Sequence, residues 1–248
     1  MHDQLSTGLV QFLDGLSRPD RERARSVLLA CPNIEVDADA PRFATGFPAQ
    51  ALLLVDEGFV VLRGAVKPAS RSVVTCEAGP GSVLLPPTPD ELLTGLGRSR
   101  LTVIDAEARG ELLRIPALAE RVVAQLALAL SQKQEATANF ALTRHVDRVS
   151  RKLLQLAANY GHVVRDGVRI DFPVSHALLA EMIGSSRETV TRAVDQLQRD
   201  GFVDRRGSTY RLLVSPESIF VSAVAQEGQL HWRVIAVTRR DGNHTVPS

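Results

Sequence analysis

Cysteine is scarce in this 248-residue chain: Cys31 and Cys76 are its only two, and they form no CxxC pair. Two thiols cannot complete a four-thiolate iron–sulfur or zinc site within one chain, so they read as small core residues of a reducing compartment. Long apolar runs are missing as well, with no window near the ~18 residues of a membrane span. The first twenty residues mix Asp3, Asp14 and Arg18 among apolar ones, unlike the continuous apolar core of a signal peptide. The expectation is a soluble, cytoplasmic protein with no membrane partner. Also lacking is any recognised nucleophile or metal motif, which argues against an enzyme. Six histidines (His2, His145, His162, His176, His231, His244) could in principle ligate haem, but their spacing gives no positive sign. Lysine is limited to Lys67, Lys133 and Lys152, so all but three of the 29 basic residues are arginine. Arginine's planar donor fork suits phosphates and guanine edges, although a GC-rich genome produces the same bias. The net charge of +1 counts against nucleic acid only as an average, since residues 145–215 hold eleven Arg and Lys against eight Asp and Glu.

What is present changes character along the chain. In residues 1–31, Leu9, Phe12, Leu13 and Leu16 recur at helical spacing, and Asp20 is placed to cap a helix over 21–29. Between 33 and 115, short apolar runs (51–55, 59–62, 72–76, 82–85, 101–104) are cut by Asp56-Glu57-Gly58, Gly64, Gly79-Pro80-Gly81 and Pro86-Pro87. Many short strands at turn-marked spacing predict an antiparallel barrel or roll. Pro116 then opens a stretch without Gly or Pro up to Tyr160, with Val122, Leu126, Leu128, Leu130 and Phe140 in its first part. A helix of about 25 residues, apolar on more than one side, needs two surfaces to cover it. One is the roll; the other is the same helix of a second copy, the alternative being a helix buried wholly within its own chain.

A second helix over 146–158 is followed by a hairpin, 163–164 and 168–172, around Asp166-Gly167. Short helices over 175–183 and 186–199 meet at Gly184-Ser185, and strands 202–204 and 209–213 flank Arg205-Arg206-Gly207. This is a winged helix-turn-helix plan. In the tail, 220–225 and 230–237 alternate around Gln226-Glu227-Gly228, predicting a β-hairpin with Leu230, Trp232 and Val234 on one face. The expected division is an N-terminal roll with helices (1–115), a dimerisation helix (116–144), a winged helix-turn-helix (145–215) and an extension (216–248): an α+β fold.

On a helical wheel over 186–199, Val190, Ala193, Val194 and Leu197 share one side, while Arg187, Glu188, Thr191, Arg192 and Asp195 share the other. Ser185 or Ser186 can cap this helix, whose exposed amides suit a DNA phosphate. Arginine can bridge guanine O6 and N7, and glutamate can accept from cytosine N4. Arg205 and Arg206 add a basic wing.

The run Leu179-Ala180-Glu181-Met182-Ile183-Gly184-Ser185-Ser186-Arg187-Glu188-Thr189-Val190-Thr191-Arg192 closely resembles the helix-turn-helix signature of the Crp/Fnr bacterial transcription regulators. The resemblance extends over roughly 33–213. It implies a cyclic-nucleotide-binding-like β-roll, a long dimerisation helix and a C-terminal winged helix. It further implies base contacts by Arg187, Glu188 and Arg192, with Ser175 and His176 near the DNA backbone. Double-stranded DNA with a palindromic site, a homodimer and RNA polymerase follow as partners. In the roll, Arg98-Ser99 resembles the pair that holds the cyclic phosphate. Gly81-Ser82 stands where the family has Gly-Glu, and Lys133-Gln134 aligns with the Thr-Ser pair that reads adenine in cyclic-AMP receptors. A cyclic nucleotide is therefore the candidate effector of a degenerate pocket, which these departures turn away from cyclic AMP. The rivals are an ordinary cyclic-nucleotide-responsive regulator and a protein-docking scaffold.

Overall fold

The computed structural model describes residues 6–48, 50–66, 71–139, 144–214, 223–226 and 229–232. Two compact units emerge, residues 1–141 with 181–184, and residues 142–180 with 185–248.

The first unit begins with helices α1 (Thr7–Phe12) and α2 (Arg18–Ala30). Ser17, rather than the expected Asp20, caps α2: its hydroxyl accepts the Asp20 amide, and Asp20 occupies the first turn. The serine preference is physical, because Pro19 follows at a position that needs no amide donor and leaves Asp20 free to favour the helix N-terminus by charge. Seven strands then build two antiparallel sheets. One has the order β1 (Asn33–Val36), β7 (Ser99–Ile104), β2 (Leu52–Glu57), β5 (Val83–Leu84); the other is β4 (Arg71–Ala78), β3 (Val60–Val66), β6 (Glu91–Gly95). Strand β2 shows why the run 51–55 carries no polar alternation. Leu53 and Val55 enter a core with Val60, Leu62, Cys76, Leu93 and Leu101, whereas Leu52 and Leu54 pack with Phe12, Leu13, Leu28 and Leu118. Both faces of the strand are covered, and successive side chains point to opposite faces.

Helix α3 (Ala106–Leu112), capped by Asp105, leads into α4 (Pro116–Asn139). Leu118 and Val122 are buried against the α1–α2 cluster. On the same helix Val123 and Leu130, seven residues apart, stay 65% and 58% exposed. Phe140, expected to continue this helix, lies outside the described residues. Among the described residues no helix is long and apolar enough to cross a membrane.

The second unit contains α5 (His145–Tyr160), β8 (Gly161–Val164), β9 (Gly167–Ile170), the first five residues of α6 (His176–Ile183), α7 (Arg187–Arg199), β10 (Val203–Arg206) and β11 (Thr209–Leu212). Its sheet runs β10-β11-β9-β8, antiparallel throughout. Val164 pairs with Gly167, so the first hairpin turns on Arg165-Asp166, one residue earlier than the expected Asp166-Gly167. Val149, Leu153 and Leu156 of α5 are fully enclosed, as are Val190 and Val194 of α7, which α5 contacts. In the tail, β12 (Ala223–Gln226) pairs with β13 (Gln229–Trp232). The remainder of the expected strands 220–225 and 230–237, with Val234, lies outside the described residues.

Candidate nucleic-acid interface

Helix α6 ends where Gly184 adopts φ +63°, a left-handed conformation in which glycine carries no Cβ penalty. The Ser185 amide then donates to the Ala180 carbonyl at 2.9 Å, and the chain turns directly into α7. Of the two serines able to cap α7, Ser186 does so: its hydroxyl accepts the Thr189 amide at 3.2 Å. Ser185 instead lies 3.2 Å from His145 Nδ1 through its hydroxyl. Ser175 caps α6 by accepting the Leu178 amide.

The predicted division of α7 holds. Val190, Ala193, Val194 and Leu197 are buried, whereas Arg187, Glu188, Arg192 and Asp195 are exposed and Thr191 is half-buried. The Glu188 carboxyl is held below its ordinary value by its own amide and the Ser186 hydroxyl, with Arg187 and Arg192 adding positive charge. It is therefore an ionised acceptor between two donor forks. His176, half-buried at the start of α6, places Nδ1 2.8 Å from the Thr191 hydroxyl. On the wing, the Arg205 guanidinium stacks over the Tyr210 ring at 5.6 Å, and Tyr210, enclosed beneath it, has its phenol pushed up to about 12 by burial. Arg206 reaches outward, 87% exposed, with Asp204 3.8 Å away. Five of the nine predicted DNA-contact residues thus lie on α6 and α7, Ser175 and Ser186 cap those helices, and Arg205 and Arg206 lie on the wing.

In the first unit the expected effector residues are engaged separately. Arg98 sits in the β6–β7 turn, 82% exposed, and pairs with Glu35 of β1 at 2.7 Å. Ser99 is buried and its hydroxyl donates to the Phe59 carbonyl at 3.0 Å. Ser82 accepts the Val55 amide through its carbonyl, and Gln134 is exposed on α4. Lys133 is different: its ammonium donates to Glu91 Oε1 at 2.8 Å. That buried carboxylate also accepts from the Thr75 hydroxyl at 2.7 Å and from the Thr88 amide and hydroxyl, both at 3.1 Å. Burial opposes the charge of Glu91, but the bonds from Lys133, Thr75 and Thr88 outweigh it and lower its pKa. Immediately before Lys133 on α4, Gln132 is 4% exposed and accepts from the Cys76 thiol at 3.1 Å.

Residues 147–217 match the family model of the Crp-like helix-turn-helix domain. That segment is a Crp-like helix-turn-helix domain. The chain is 26% identical over 182 residues to a CRP-like cAMP-activated global transcriptional regulator of Mycobacterium tuberculosis, covering 69% of this chain and 81% of that one. Its fold is similar to a CooA variant from Carboxydothermus hydrogenoformans, with TM-score 0.66 at 17% identity over 87% of this chain and 96% of that chain. It is also similar to the c-di-GMP responsive global regulator CLP of Xanthomonas campestris, with TM-score 0.58 at 23% identity over 80% and 100% of the two chains.

In the first unit the informative polar group under α4 is Glu91, which sequence patterning does not single out. The only signal was an acidic residue opening an otherwise apolar run, Glu91-Leu92-Leu93. Lys133→Met leaves that buried carboxylate without its cation. Such a loss costs about 3–5 kcal/mol for a fully buried pair. Lys133 keeps access to water, so the expected cost falls to about 1–2 kcal/mol after screening. Glu91 has a folded pKa below its ordinary 4.5, so the pair's contribution is complete above that value and fades as pH falls through the folded pKa. Urea midpoints of the two proteins should accordingly differ at about pH 7 and converge in acid, as the folded Glu91 carboxylate takes up its proton. An equal difference at both would show that Lys133 acts through packing alone.

Proposed function

We propose that this protein is a DNA-binding transcription regulator of the Crp/Fnr type that binds a palindromic operator as a homodimer, with α7 of each subunit in a major groove and RNA polymerase as its downstream partner. The observation that carries this is the outward face of α7, where Arg187, Glu188 and Arg192 project from a serine-capped N-terminus. Two donor forks flanking an ionised acceptor can distinguish guanine from cytosine at neighbouring positions. Ser175 and Ser186 at the helix starts, with Arg205 and Arg206 on the wing, supply phosphate-facing donors that set register, and His176 stands beside them at the start of α6. Dimerisation is supported by Val123 and Leu130, exposed apolar residues one heptad apart on α4. Twofold symmetry of the protein then requires twofold symmetry of the site.

The roll is read as not tuned to cyclic AMP. In support, Lys133 and Glu91 satisfy each other, and Arg98 is committed to Glu35 on the outer surface. The domain limits follow as a roll with its helices (1–115), a dimerisation helix (116–144), the reader (145–215) and an extension (216–248).

Selection of bound duplexes from random DNA, with and without cyclic AMP, tests the proposal. Expected are inverted-repeat sequences recovered equally in both arms, bound by a dimer, with affinity falling steeply as salt rises. A tenfold gain with cyclic AMP, about 1.4 kcal/mol of coupling, would refute the effector reading. Absence of any preferred duplex would refute the operator reading.

A further inference from the structure

Thr191 lies half-buried on the reading face of α7, one turn after Arg187 and beside Arg192. Its hydroxyl has a single hydrogen, which goes to the Arg187 carbonyl at 2.9 Å. His176 Nδ1 approaches the same oxygen at 2.8 Å. With the threonine hydrogen assigned to that carbonyl, His176 is assigned as the donor. Its imidazole is then the Nδ1–H tautomer, and Nε2, a bare acceptor, is enclosed within the protein. Burial lowers the His176 pKa from its ordinary 6.5; Arg205 and Arg187 reinforce that shift and Asp195 opposes it. The neutral ring required by this arrangement is the dominant form near neutral pH.

We propose that Thr191 reads DNA with its γ-methyl group, selecting thymine through the base's 5-methyl, and that His176 is the positioning residue that holds it in that rotamer. This rests on the helix-turn-helix reading above. A threonine whose hydroxyl donates to the backbone and accepts from an imidazole has little left with which to bond a base edge. A β-branched side chain tied at its oxygen also has its methyl direction set. What remains for the groove is an apolar group of one carbon, and thymine is the base that offers an apolar partner in the major groove. His176, which the family resemblance places near the DNA backbone, here acts through Thr191.

The test uses the duplex of highest affinity recovered by the selection, with each thymine replaced in turn by deoxyuridine, which removes only the 5-methyl. One position in each half-site should lose about 3–10-fold in affinity for the unaltered protein. Thr191→Val, which keeps a methyl, should preserve that thymine-to-deoxyuridine ratio. Thr191→Ser, which keeps only the hydroxyl, should bring it close to one. His176→Leu should reduce the ratio while melting shows the helix-turn-helix still folded, and His176→Gln, which restores a donor, should recover part of it. If no thymine shows a penalty, or Thr191→Ser keeps it, methyl readout is overturned while operator binding stands. If His176→Leu leaves the ratio intact, the positioning role is overturned. Recovery of no preferred duplex overturns the helix-turn-helix reading and this inference with it.

Discussion

Arg187→Ala should weaken binding to the selected operator by about 1–3 kcal/mol and relax preference at one guanine in each half-site. Arg187 is the first residue of α7, exposed, and follows the Ser186 cap, so it stands at the end of the helix proposed to meet base edges. A bidentate contact to guanine O6 and N7 needs a planar fork, so Arg187→Lys should recover affinity without recovering the full preference. Arg206 provides the contrast. It reaches outward from the wing, and Arg206→Ala should weaken all duplexes alike while lowering the salt slope by about one unit. Fluorescence anisotropy on the selected duplex and its guanine-substituted variants, across a salt series, separates the two outcomes. Unchanged preference in Arg187→Ala would remove this residue from base readout.

The second large effect concerns the scaffold that carries the reader. Gly167 opens β9 at φ +136°, and a Cβ built there would stand 1.9 Å from the Leu212 carbonyl oxygen of β11. Gly167→Ala thus combines a backbone conformation unfavourable to L-residues with a collision against main chain that is itself paired in the sheet. The expected loss is about 3–5 kcal/mol in the second unit, near the upper end for a single substitution. Gly207, at φ +62° in the β10–β11 turn, has open space around it. Gly207→Ala should cost only about 1 kcal/mol, the conformational penalty alone. Hydrogen exchange of the β9 and β11 amides reads this unit separately from the roll. Equal protection in the two variants would mean that the sheet yields at Gly167 without cost.

Much of the reader was legible because its rules are local. The 3.6-residue period alone separates Val190, Ala193, Val194 and Leu197 from Arg187, Glu188 and Arg192 on α7. Gly184 marked the turn for an equally local reason, the left-handed conformation at a helix end. The roll was legible as a class but less so in detail. Strands β1 and β6, which carry Asn33, Glu35 and Glu91, passed unmarked because their polar residues find partners far along the chain. Arg98 shows the same limit from the other side. Its neighbour Ser99 completes a familiar dipeptide, yet the turn it occupies directs it to Glu35, 63 positions away.

By itself, the sequence determined where helices face, where turns fall and which basic residues share the surface of α7. Those depend on spacing within a few residues. Only tertiary structure decided that Lys133 meets Glu91, that Ser186 rather than Ser185 caps α7, and that His176 occupies the Thr191 hydroxyl. Each of these is a choice among competing polar partners, and a buried donor or acceptor left unpaired costs more than a pair returns. The choice is therefore set by what the folded chain brings within about 3 Å, which no local pattern encodes.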